Sequence, residues 1–149
     1  MGLRIPPVAP VVKSRVADWC VHTFPMGKEP WLIFCNTASL YPVFAKGLGV
    51  TNDETLVRRA VGMVLRVLRE NGFSSQAKII EQEVTLGVQW APIPDRSVLG
   101  SINDFIRVAD FHFDDANLTP AILSQRLGIT PMTALGMNDP ARAFATLRA

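Results

Sequence analysis

Two short runs near the start of the chain, Trp19 to Phe24 (WCVHTF) and Trp31 to Cys35 (WLIFC), constrain the fold more than any other feature. Both are rich in aromatic and aliphatic residues. The segment between them, Pro25-Met26-Gly27-Lys28-Glu29, has the length and turn chemistry of a hairpin connection. Centring the turn on Gly27-Lys28 sets Cys20 opposite Cys35. A third strand is expected over Ser39 to Ala45, where Tyr41, Val43 and Phe44 suit a pleated surface. Pro42 cannot donate to a ladder, so this strand belongs at an edge or turns its N–H side outward. An antiparallel hairpin at the start of a chain needs later elements to cover it, and the remaining sequence supplies mostly helices.

Thr51 and Glu54 form a capping box, after which Leu56, Val57, Ala60, Val61, Val64, Val67 and Leu68 repeat at helical spacing. Asn71-Gly72 ends that helix. Residues 74–83 predict a short helix, and Val84 to Trp90 a further strand with a bulge at Gly87. A second long helix carries Val98, Leu99, Ile102, Phe105, Ile106, Ala109 and Phe113, with Asp95 or Ser97 as its N-cap. Thr119-Pro120, Thr130-Pro131 and Asp139-Pro140 each place a capping oxygen before a proline, predicting helices near 120–127, 131–135 and 140–147. Strands early and helices late, without regular alternation, indicate α+β. The expected fold is a small antiparallel sheet of three to four strands against two long helices, with short C-terminal helices, as one domain over 1–149. The first thirteen residues, punctuated by Pro6, Pro7 and Pro10, are expected to lie extended along it.

Composition narrows the function classes. Hydrophobic residues make up 48% and charged residues 19% of the 149, with a formal net charge of +2. Disorder requires the opposite balance, and a diffuse basic field for nucleic acid is missing. The early prolines break any secretory signal, Pro6 breaks a myristoylation pattern, and the run from Pro30 to Ala45 is too short and too polar to span a membrane. A cytoplasmic protein with reduced thiols is expected.

Four constellations bear on chemistry. Cys20, His22 and Cys35 are a soft zinc-type set without a fourth ligand or CxxC spacing, so ordinary packing is expected, with no metal and no cofactor. His22 and His112, the two histidines, lie in no catalytic signature, and no phosphate-loop, dinucleotide or zincin motif occurs. No catalytic residue is assigned, and the balance leans against an enzyme. Leu123 to Thr130 resembles the start of a helix-turn-helix, but Gly136 stops the next helix too soon, and no Lys or Arg lies between Ile129 and Asp139. Nucleic acid therefore keeps only the weak possibility of Arg58, Arg59, Arg66 and Arg69, which read first as a solvated helix face.

The fourth constellation is polar: Asn36, Thr37, Ser39 and Tyr41 in the strand region, and Arg96, Ser97, Ser101, Asn103 and Asp104 on the second long helix. Gly100 inside that helix costs about 1 kcal/mol against alanine, a cost that close approach of a backbone or ligand would explain. The two sets are expected to meet in one seam, which is either a structural hydrogen-bond network or a ligand or partner site.

NTASLY (36–41), the arginine-rich helix, DRSVLGSIND (95–104) and the LTP, PMTALG and subsequent proline stretch resemble an uncharacterised family of small bacterial proteins, a domain of unknown function. The resemblance implies a compact bacterial domain and carries no activity. The expected function is a non-catalytic protein-interaction or assembly module, as a homodimer or with another protein. The alternatives are a small-molecule binder or enzyme at the polar seam, and a nucleic-acid-associated protein.

Overall fold

A computed structural model describes residues 14–47, 53–85 and 96–148. It contains a three-stranded antiparallel sheet in the N-terminal half and five α-helices, which makes the fold α+β. Strands β1 (Trp19–Met26), β2 (Glu29–Asn36) and β3 (Pro42–Lys46) lie in that order, preceded by a 3-10 turn at Arg15–Ala17. The turn falls on Gly27-Lys28, with Gly27 at φ +62°, and Cys20 pairs with Cys35 as the spacing requires.

The middle strand is buried on both faces, and its side chains alternate between two cores. Leu32 and Phe34 point to α1 (Asp53–Glu70) and α2 (Ser74–Val84). Trp31, Ile33 and Cys35 point to α3 (Arg96–Ala109), through Val98, Ile102 and Phe105. Helix α4 (Pro120–Gly128) lies along β3 and feeds both cores, with Ala121 in the first and Leu123 and Leu127 in the second. Helix α5 (Pro140–Ala145) brings Phe144 into an aromatic cluster, stacked on Tyr41 at 5.3 Å and edge-on to Phe73 and Trp19.

Pro42 sits on an edge strand, and the edge is closed by side chains. The Asn36 N–H donates to the Tyr41 carbonyl at 3.1 Å, and alternation along the ladder then turns the Phe44 N–H outward. The Ser124 hydroxyl oxygen accepts it at 2.9 Å and donates its own proton to the Pro120 carbonyl at 2.8 Å. Pro42 has no donor to offer and the Phe44 N–H is taken, so the middle of this edge offers little to another strand.

Several expectations are corrected. Val84 ends α2 rather than opening a strand, while Gly87 and the rest of Val84 to Trp90 beyond Thr85 lie outside the described residues, as do Thr51, Asp95 and the first thirteen residues. Ser97 lies inside α3, not at its N-cap. Helix α3 stops at Ala109, and a 3-10 turn over Asp110–His112 continues it toward Phe113. Thr119 and Asp139 cap α4 and α5, their side chains accepting from the N–H groups of Ile122 and Arg142. Thr130-Pro131 does not repeat the device. Only a 3-10 turn forms, at Thr133–Leu135, because Met132 is extended at φ −120° and ψ 130° and the left-handed Gly136 and Met137 close the segment at once. A recognition helix has no room there.

Candidate functional site

The two polar sets expected to form one seam occupy different environments. Asn36 is fully buried at the end of β2. Its side-chain amide reaches the carbonyls of Arg15, Val16 and Asp18, at 2.9, 3.3 and 3.3 Å. Its Oδ1 accepts from the Ser39 N–H at 2.9 Å and the Ser39 hydroxyl at 2.8 Å. Ser39 Oγ in turn accepts the Tyr41 N–H at 3.2 Å, and the Thr37 hydroxyl donates to Asp18 at 3.3 Å. The turn holds Leu40 at φ +64°, a left-handed conformation that costs a non-glycine residue about 1–2 kcal/mol. The network stabilises that backbone and ties the entry of β1 to the end of β2. Asn36 has no donor or acceptor left for a ligand.

Tyr41 extends this network to the helices. Its hydroxyl accepts from Asn71 Nδ2 at 2.9 Å, and its ring leaves no space for a side chain at Gly128, where a Cβ would stand 2.7 Å from Cε1. Burial pushes the phenol up to about 12, and the Asn71 hydrogen bond lowers it only in part. All four NTASLY polar residues thus serve the architecture.

Three residues of the α3 set, Ser97, Ser101 and Asp104, face a groove. One wall is α3, with Ser97, Gly100, Ser101, Asp104, Phe105 and Val108; the other is Leu127 and the stretch from Thr130 to Ala134. The space amounts to about 430 Å³ and opens to solvent. Ser101 is buried at its base, while Ser97, Gly100 and Asp104 are exposed at its rim. Arg96 and Asn103 are exposed on α3 outside the lining. Among the described residues, no atom beyond its own helix backbone and chain neighbours lies within 4 Å of where a Gly100 Cβ would stand. The glycine accommodates no approaching backbone of its own chain; its effect is to leave the groove mouth wide. The second wall, with Pro131, Met132 and Thr133, was not read from the sequence as part of a site. The only signal for it was the PMTALG string.

The groove's chemistry is sparse. Asp104 is the one ionisable lining residue among the described residues, and it pairs with the exposed Arg107 at 3.3 Å. Among the described residues no histidine, cysteine or lysine lines it. His112 lies elsewhere, with Arg126 between it and Asp115 at 3.4 and 2.8 Å. The Asn117 N–H, then Arg126, hold the Asp115 carboxyl below its usual range.

The remaining candidate residues are structural in their contacts. Cys20 and Cys35 are buried thiols in register, and burial, then the neighbouring Cys20, raises the Cys35 thiol. Among the described residues no three metal-binding side chains converge, and no helix is long and apolar enough to cross a membrane. On α1, Arg66 pairs with Glu70 at 3.2 Å and Arg69 pairs with Glu81 of α2. Both pairings cut the positive potential that the face shared with Arg58 and Arg59 presents.

The match to known families covers residues 2–143, nearly the whole chain. The chain belongs to the family described as domain of unknown function DUF6933. No curated protein matches the sequence. Family membership therefore carries no activity, and function has to be argued from the α3 groove.

Proposed function

We propose that this DUF6933 protein is a bacterial, cytoplasmic, non-catalytic binding module whose working surface is the groove between α3 and the Thr130–Ala134 stretch. The observation that carries the reading is Gly100. A glycine within a helix costs about 1 kcal/mol, and here no internal packing calls for it. Its service is to hold open a space lined by Phe105, Val108, Leu127 and Met132. Apolar surface gathered at a groove and rimmed by hydroxyls is what an interaction site presents. A lone surface carboxylate paired to arginine supplies no acid–base couple, which weighs against catalysis.

An environment-sensitive anilinonaphthalene dye tests this reading. At about 1 µM or below, the wild type should bind it saturably, and Gly100→Leu, which fills the mouth without touching the core, should lose most of that signal. Wild-type protein that binds no dye, or a Gly100→Leu variant that binds as well as wild type, contradicts it. The volume also falls in the roughly 300–1,000 Å³ range of small-ligand sites, and Ser97, Ser101 and Asp104 converge on it. A small-molecule screen by thermal shift addresses that second reading: a ligand raises the melting temperature by mass action, and Asp104→Ala should abolish the rise.

A further inference from the structure

The exposed face of α3 is complementary to itself. Gly100, Asp104, Arg107 and Phe111 recur at steps of four, three and four, so they form one stripe along the helix and the 3-10 turn that continues it. The stripe is symmetric about the midpoint between Phe105 and Ile106. Gly100 and Phe111 are equally distant from that point, and so are Asp104 and Arg107. When a second α3 crosses antiparallel at that midpoint, Phe111 of each copy meets Gly100 of the other, and Asp104 of each meets Arg107 of the other.

Both pairings are chemically apt. Phe111 is 83% exposed, the largest exposure among the exposed large apolar side chains of the described residues. Gly100 is the glycine of α3, and among the described residues nothing beyond its own helix backbone and chain neighbours lies within 4 Å of a would-be Cβ. A protruding aromatic and a vacant helix surface are the two halves of a knob-and-hole contact, and a two-fold axis supplies both from one sequence. The charges carry opposite sign at symmetric positions, so self-pairing brings carboxylate to guanidinium rather than like to like. The exposed Val108 adds apolar area beside the knob.

We infer that the partner of the α3 face is a second copy of this chain, bound antiparallel through α3 about a two-fold axis. The inference rests on the groove being a binding surface and names what fills its mouth. Sedimentation equilibrium of the full chain from about 1 to about 100 µM, where small interfaces dissociate, should show a monomer–dimer equilibrium. Phe111→Ser and Gly100→Leu should each weaken the dimer at least about tenfold. Asp104→Arg alone and Arg107→Asp alone set like charges against each other and should also weaken it, whereas the double exchange should restore affinity to within about threefold of wild type. All four positions are solvent-facing, and circular dichroism of each variant confirms the fold. A wild-type monomer throughout the range overturns the inference, as does a dimer indifferent to Phe111→Ser or a double exchange that fails to rescue. A monomer whose dye binding still depends on Gly100 removes the second copy and leaves the groove standing; loss of both removes both.

Discussion

The turn at Asn36 and the exposed stripe of α3 look alike as sequence, since both are short polar strings set among apolar residues, yet the fold treats them oppositely. At Asn36 each side-chain donor and acceptor is spent on a backbone carbonyl, a backbone N–H or a hydroxyl inside the protein. On α3 the side chains at Arg96, Asn103, Asp104 and Arg107 face water, and Gly100 adds empty space. The difference teaches that a polar cluster in an apolar context is as apt to be a saturated joint as a binding site. Saturation is what separates the two.

The sharpest way to break the comparison is at Asn36. Asn36→Ala removes the acceptor of the Ser39 N–H and hydroxyl and the donor to the Arg15 carbonyl, and takes one of several donors from the Val16 and Asp18 carbonyls, and urea denaturation should show a loss of about 3 kcal/mol or more. A change as small as that of an exposed residue would end the structural reading of the turn. Next comes Tyr41, the single tyrosine of the chain. Its phenol is raised to about 12 in the folded protein from 10.0, so between those pH values the unfolded state releases a proton that the folded state keeps. Stability should therefore be intact below pH 10 and fall as pH rises toward 12, by about 2–3 kcal/mol. Tyrosinate absorbance in native and denatured protein checks the shift directly.

Ser124→Ala leaves the outward Phe44 N–H unpaired and should cost about 1–2 kcal/mol, read from the same denaturation series. On the α3 side the expected effects are smaller and one reverses sign. Gly100→Ala adds a methyl into open space and should stabilise by about 0.5–1 kcal/mol. Asn103→Ala should stay within about 0.5 kcal/mol. A large loss at either position would mean that α3 is structurally committed in a way its exposure does not show.

The hairpin was legible because its constraints are local: alternation, a two-residue turn centred on glycine, and a proline that has to sit at an edge. The caps at Thr119 and Asp139 were legible for the same reason. The seam was not, because the partners of Asn36 come from residues 15–18, which no spacing rule connects to position 36. The Thr130-Pro131 cap failed for a local reason that the string did hold. Gly136, left-handed, stops the segment soon after Met132, which stays extended, so only a 3-10 turn fits between them. The groove's far wall was hidden because it arises from where α4 sets that segment down, not from its composition. Likewise, the aromatic cluster of Tyr41, Phe73 and Phe144 joins residues far apart in the chain.

Hydrogen exchange of the wild-type chain at dilute and concentrated protein tests the central claim most directly, that α3 presents a surface for a second copy of the chain while the Asn36 turn is a finished joint. Raising the concentration should slow exchange in the segment from Leu99 to Phe111 and leave Asn36 to Tyr41 unchanged. Slowing confined to the turn, or no concentration dependence anywhere, would contradict it.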